Sequence, residues 1–525
     1  MKNTVILFFA LFTVCPLFAD GLSDVVLKEF TGGEKLPVGW NVSLPQAAAV
    51  KPDGVKVELP ANGKDRHASV TKTLPVEQLR GTRLRVAVQA KAENVAEPPK
   101  PYNGIKAMLV LDTPGGKQWL QQNVGGGTFG WKEIAFNAAV PADTTAATFL
   151  LGLEDTTGKV EFQSLTITVI AKKRSKVVRS ETSHQPIYRG HHLSRLRGAM
   201  ISPDNFGKKD IEVFGGQWKA NHVRWQLIWS GFPNGPADTA TVEEYNVWLE
   251  KQCKHLDEML PLCKQYGVYV CLDLHTPPGG RLPRNKDSAM RMFYDEKFQD
   301  AFVAAWEKLA KRYKDAEMVW SYDILNEPVE GNMPEQDGLL HWRDLALKTS
   351  KAIRRVDPVK AIVIEGEPWG GPDALEWFEP FDPKEVPNVI YSAHCYVPHP
   401  FTHQGVYDSP TGLKYPGEIG GKYWDKNELR KALRVPAEFA KDYGVSIYIG
   451  EFSAIRWSPD GSAYRYLKDC IDIFEEQGWD WAYHAFREWD GWSVEHGSDP
   501  KDHKPAAEPT DRELLLRSWF EKNER

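Results

Sequence analysis

The chain has 525 residues, 42 % of them hydrophobic and 26 % charged, with 19 tryptophans. That composition supplies large apolar cores and excludes global disorder. A formal charge of −6 without a basic cluster lacks the electrostatic footprint of a nucleic-acid binder or a membrane-surface protein, so neither partner is expected.

The opening stretch, MKNTVILFFALFTVCPLFAD, reads as a secretory signal over residues 1–19, with one lysine, an apolar run and Leu17-Phe18-Ala19 before the cleavage point. The run is short for a span of ~20 residues. The mature chain is therefore expected to be secreted, extracellular or periplasmic, with no membrane span. Cys253, Cys263, Cys271, Cys395 and Cys470 remain after cleavage. An odd, scattered set does not make a disulfide framework, and buried thiols are expected.

Residues 22–170 hold short alternating runs, such as TRLRVAVQAKA, IKAMLVLDT and KVEFQSLTITV, separated by Gly, Pro and Asp turns. That rhythm predicts an antiparallel β-sandwich. The stretch from FGWKEIAF to SLTITV resembles the C-terminal half of jelly-roll carbohydrate-binding and galactose-binding-like modules. Gln163-Ser164 stands where many such modules carry an Asp pair. Trp40, Tyr102, Trp119 and Trp131 are either a sugar-stacking platform or core and edge residues. A polar connection is expected at 171–186.

From 187 to 525 the rhythm changes. Eight apolar strand-like runs (LRGAMIS, ANHVRWQL, VYVCLDLH, MVWSYDILNE, AIVIEGE, VIYSAHCY, VSIYIGE, WAYHAFRE) alternate with amphipathic helical stretches. Near-continuous apolar strands linked by helices indicate parallel β/α units, and eight of them predict a closed (β/α)8 TIM barrel. The insertion 398–425, carrying Phe401, Tyr407, Tyr415, Tyr423 and Trp424, is expected to shape one end of a cleft.

The fourth of these runs finishes on Glu327, in LNEP, and the seventh on Glu451, in GEF. Barrel enzymes project their catalytic groups from strand C-terminal ends into one mouth. Two carboxylates facing across such a mouth are equipment for cleaving a glycosidic bond. With these motifs in order, the region from about 190 to 520 resembles glycoside hydrolase family 5, the cellulase-type retaining enzymes. The resemblance implies Glu327 as acid/base and Glu451 as nucleophile. It also implies Arg224, His275, Asn326, His394 and Tyr396 as substrate-binding or supporting residues. Family members present a strand-eight Trp under the reacting sugar. Here His484 and Phe486 stand near that place, and Trp489, just beyond, is the expected equivalent.

No cofactor is expected. His394, His399 and His403 have spacings a metal could use, but no HxH or HExxH pattern accompanies them, so no metal site is expected either. The implied substrate is a β-1,4-linked glucan, cellulose-like or mixed-linkage. Mannan, xyloglucan and exo-acting glucosidase activity are alternatives within the family. A glycan-binding protein without activity is the alternative of another class, and loss of either glutamate would be its signature.

Overall fold

The computed structural model describes residues 24–32, 35–174, 186–229, 235–282, 288–333, 338–406 and 409–524. The expected signal and most of the expected connection lie outside them, as does Tyr407. The chain divides into two compact units, residues 1–171 and 172–525.

The first unit is two sheets around one core. One sheet runs in the order Ala48–Lys51, Gly54–Leu59, Gly158–Lys172, Thr82–Val95, Gly127–Val140, with Asp24–Glu29 also paired to Gly158–Lys172. The other runs Trp40–Val42, His67–Thr73, Ala146–Glu154, Gly104–Thr113, Gly116–Gln121. Alternation drives the arrangement: Leu84, Val86, Val88 and Ala90 face inward from one sheet, Leu109, Leu111, Phe149 and Leu151 from the other.

Strand Gly158–Lys172 changes parity midway. Val160 and Phe162 are buried, then Leu165, Ile167 and Val169. Ser164, at φ 52, takes up the extra residue and donates its N–H to the Phe30 carbonyl. The Gln163-Ser164 step is thus the backbone irregularity that keeps a long strand apolar on one face. Trp40 is half-buried, packed on Phe30 and donating its indole N–H to Glu29 at 2.6 Å. Tyr102, Trp119 and Trp131 are exposed.

The second unit is the predicted barrel. Its strands are β1 (Arg197–Ile201), β2 (His222–Gln226), β3 (Tyr269–Asp273), β4 (Val319–Asp323), β5 (Ala361–Glu365), β6 (Val389–Cys395), β7 (Ile447–Phe452) and β8 (Asp480–Tyr483). They form a closed parallel ring, sealed by pairing of Gly198 in β1 with Ala482 in β8. Helix α1 (Val242–Tyr266) shows how sequence sets an element's ends. Thr241 and Glu244 form a reciprocal capping box, and Gly267, at φ 65, stops the helix just before β3. Its inward face buries Leu249, Cys253, Leu256 and Cys263. Among the described residues Cys253, Cys263, Cys271, Cys395 and Cys470 are all free and buried.

The 398–425 insertion is partly its own core. Phe401 and Tyr415 are fully buried and pack with Tyr466, which removes these two aromatics from any role in a cleft. Tyr423 is exposed on a short hairpin. Among the described residues no helix is long and apolar enough to cross a membrane.

Candidate active site

Arg224, in β2, organises the C-terminal mouth and is fully buried. Its Nε donates to Asp323 Oδ2 at 2.9 Å, Nη1 to Glu451 Oε1 at 2.7 Å, and Nη2 to Asn326 Oδ1 and Glu365 Oε1 at 3.1 Å each. Asp273 Oδ1 lies 3.1 Å from Nη2. Burial alone would weaken the guanidinium's hold on its proton, but Asp273, Asp323, Glu451 and Glu365 reverse that and raise its pKa. A planar fork is required here, because donors on three nitrogens reach acceptors on several strands.

Arg224 also fixes Asn326. A guanidinium only donates, so the amide oxygen must face it and the Nδ2 group points the other way, 3.3 Å from His275 Nε2. His275 Nδ1 lies 3.0 Å from Asp273 Oδ2. The acceptor at one ring nitrogen and the donor at the other select the tautomer with its proton on Nδ1.

Glu327 follows β4 by four residues and has a left-handed backbone, φ 47. A non-glycine residue there carries strain of order 1–3 kcal/mol, and buried charges clamp it. The Glu327 N–H donates to Glu365 Oε2, and its carbonyl accepts from Arg281 Nη2, both at 2.9 Å. Its side chain meets His394 Nδ1 at 3.0 Å. His394 Nδ1 is also 3.8 Å from Glu451 Oε2, and its Nε2 is 3.1 Å from Glu365 Oε1. Burial opposes a charge on His394, but Glu365 and Glu451, with the bond to Glu327, hold its pKa well above the ordinary histidine value. Two glycines make the fit possible. A side chain at Gly450 would come within 2.9 Å of the His394 ring, and one at Gly370 within 2.3 Å of Glu365.

Glu451, in β7, is buried. Tyr396 donates its hydroxyl to Oε2 at 2.8 Å while Arg224 holds Oε1. Burial would raise its pKa, but His394, His484 and Arg224 outweigh it and hold the carboxyl well below the usual range. One carboxylate oxygen each from Glu327 and Glu451, with a His394 nitrogen, lie within 4.8 Å of one another. A cavity of about 130 Å³ opens beside Glu327, lined among others by Trp229, His275, Arg281 and Trp369.

The family model described as cellulase (glycosyl hydrolase family 5) matches residues 180–490. The chain belongs to glycoside hydrolase family 5. It is 30 % identical over 294 residues to endoglucanase C of Acetivibrio thermocellus, covering 51 % of this chain and 80 % of that one. It is 25 % identical over 283 residues to cellodextrinase A of Ruminococcus flavefaciens, covering 52 % and 77 %. A crystal structure of a glycoside hydrolase superposes with a TM-score of 0.50 at 26 % identity, covering 62 % of this chain and 99 % of that one.

Within this glycoside hydrolase, seven of the eight sequence-derived residues converge on the mouth: Arg224, His275, Asn326, Glu327, His394, Tyr396 and Glu451. Trp489, the eighth, is 42 % exposed and stands edge-on to Trp457 and Trp492 at 6.0 and 5.5 Å. Phe486 is buried against Phe214 and Trp218, whereas His484 faces Tyr396 and Glu451. His399 and His403 stack at 3.9 Å just beyond β6, and His403 stands edge-on to Tyr396 at 5.1 Å.

Sequence reasoning missed Asp323, Glu365 and Arg281. The signal was present for the first two, since an acidic residue inside an apolar strand must find a buried partner.

Arg224→Lys tests the hub. The ammonium keeps the charge and loses the fork, so kcat is expected to fall about 100-fold or more, the scale of one lost preorganising donor. Circular dichroism should stay that of the native fold. Wild-type turnover would remove Arg224 from the site's chemistry.

Proposed function

We propose that this chain hydrolyses a β-1,4-linked glucan, cellulose-like or mixed-linkage, with retention of configuration at the anomeric carbon. The carrying observation is the approach of the Glu327 and Glu451 carboxylate oxygens to within 4.8 Å. Retaining enzymes need carboxyl groups about 5–5.5 Å apart, whereas inverting enzymes leave room for a water at about 6.5–9.5 Å.

In the first step Glu451 attacks the anomeric carbon. The glycosidic bond breaks, and Glu327 passes its proton to the departing oxygen. In the second step Glu327, now the base, takes a proton from water, which displaces Glu451. Arg224 and Tyr396 keep Glu451 ionised before attack and receive its charge again as it leaves. Asn326, its amide turned by Arg224, offers a donor to the sugar 2-hydroxyl. Trp489 supplies an aromatic face at the cleft, and His275 and His394 fix its polar wall. The endoglucanase name of the relative supports a glucan over mannan or xyloglucan.

The opening signal-like stretch supports secretion. Exposed Tyr102, Trp119 and Trp131 support glycan tethering by the sandwich, which would raise the local substrate concentration.

Peptide mapping after inactivation by a 2-deoxy-2-fluoro aryl cellobioside tests the mechanism, with NMR of the first-formed product from the unfluorinated glycoside. The expected results are a label on Glu451 and a β-configured product. An α product, or a label on another carboxylate, would overturn the assignment. A panel of soluble glucans, mannan and xyloglucan tests the substrate, with fastest turnover expected on the β-glucans.

A further inference from the structure

The end of β8 holds a polar chain that the mechanism above does not use. Gln226 Nε2 donates to Glu488 Oε2 at 2.6 Å. The same Glu488 oxygen is 3.3 Å from His484 Nε2. His484 Nδ1 contacts the Tyr396 hydroxyl and lies 3.4 Å from Glu451 Oε2. Tyr396, at 2.8 Å, is the donor to that Glu451 oxygen. The chain thus runs from β2 through the loop after β8 to the carboxylate on β7.

We propose that His484 and Glu488 form a positioning dyad for Glu451, in which Glu488 orients a doubly protonated His484 and His484 directs the Tyr396 proton onto Glu451. The inference rests on the reading of Glu451 as the nucleophile.

Proton counting carries it. Tyr396 has one hydroxyl proton and two neighbours, His484 Nδ1 and Glu451 Oε2. An unprotonated Nδ1 would compete for that proton, and Glu451 would lose a donor. A protonated Nδ1 donates to the phenol oxygen and leaves the phenol proton to Glu451. The Glu488 carboxylate, 3.3 Å from Nε2, places a negative charge beside that nitrogen and favours a second proton there.

The surrounding charges agree. His484 faces Glu488 on its own loop, Glu451 on β7 and Glu327 after β4, with Tyr396 and His403 from the β6 side. Arg224 and His394 act on Glu451 from β2 and β6. Burial works against a charge on His484, but Glu488 and Glu451 raise its pKa above the ordinary histidine value. Burial would likewise raise the Glu488 pKa, and His484 brings it down. An imidazolium in this place makes Glu451 a better leaving group in the second step. The C–O bond to Glu451 then breaks onto a carboxylate already facing positive charge.

The test is the pH dependence of kcat for 2,4-dinitrophenyl β-cellobioside, for which the second step sets the rate. This leaving group needs no proton, so the alkaline limb does not report Glu327. Glu488→Gln is nearly isosteric and keeps an acceptor for Nε2, while removing the charge that sustains the imidazolium. Its alkaline limb is expected about one pH unit below that of the wild type, the lower end of the effect of a neighbouring opposite charge. His484→Phe is expected to lower kcat at every pH and to abolish the difference made by adding Glu488→Gln. If Glu488→Gln scales the profile without moving the limb, the dyad is only structural and the proposal fails. Fluorosugar labelling of the same wild-type preparation separates the two readings. A Glu451 label with an unmoved limb refutes the dyad alone, and a label elsewhere overturns both.

Discussion

Glu451→Gln is expected to lower turnover of natural glucans and of activated aryl glycosides alike, by roughly 10⁴-fold or more, the scale of removing a covalent nucleophile. The physical reason lies in what holds the side chain. Arg224 Nη1 and the Tyr396 hydroxyl each donate to one oxygen of Glu451, an arrangement suited to an anion. An amide in that place can accept at its oxygen, but its NH2 group would then face a donor, and it has no charge to give to the anomeric carbon. No leaving group compensates, because the missing bond is the one formed to the enzyme. The fold should persist, since Asp273, Asp323 and Glu365 still surround Arg224. A thermal melt close to wild type, with turnover lost on 2,4-dinitrophenyl β-cellobioside, is the expected pair of measurements. Retained turnover on that substrate would show that Glu451 is not the nucleophile.

The barrel was legible because each strand is buried on both faces and so reads as an unbroken apolar run. The eight runs named from sequence correspond to β1 through β8. The sandwich was legible from alternation, though Ser164 shows how one left-handed residue can shift the parity of a strand without changing its apolar content. The site was legible where chemistry leaves a short motif, as in LNEP and GEF.

The rest was hidden for identifiable reasons. Glu365 closes β5 in AIVIE and touches no motif in sequence. Only the folded ring brings it against the Glu327 N–H, Arg224 and His394. Arg281 lies in a glycine-rich loop, and its bond to the Glu327 carbonyl depends on a left-handed backbone that sequence spacing does not announce. The strand-eight position was ambiguous because WAYHAFREWDGW offers several aromatics. Packing sorted them: Phe486 turns outward into the core, Trp489 stays exposed, and His484 faces the carboxylates.

Glu327→Ala should behave in the opposite way to Glu451→Gln with respect to leaving group. General acid catalysis contributes typically 10²–10⁴-fold, so natural glucans should slow by about that factor. Dinitrophenolate departs without a proton, so formation of the glycosyl-enzyme from 2,4-dinitrophenyl β-cellobioside should be nearly spared. The second step would then lack its base, and the intermediate should accumulate as a burst followed by slow turnover. Azide is a nucleophile that needs no deprotonation, and truncation to alanine leaves space for it beside His394, which contacts the Glu327 carboxylate at 3.0 Å. It should accelerate the second step and yield a β-glycosyl azide, of the same configuration as the substrate. In Glu451→Ala, by contrast, azide would attack from the vacated nucleophile side and give the α-azide. The two azide configurations therefore report which glutamate stands on which face of the sugar. A β-azide from Glu451→Ala, or an α-azide from Glu327→Ala, would require the two roles to be exchanged.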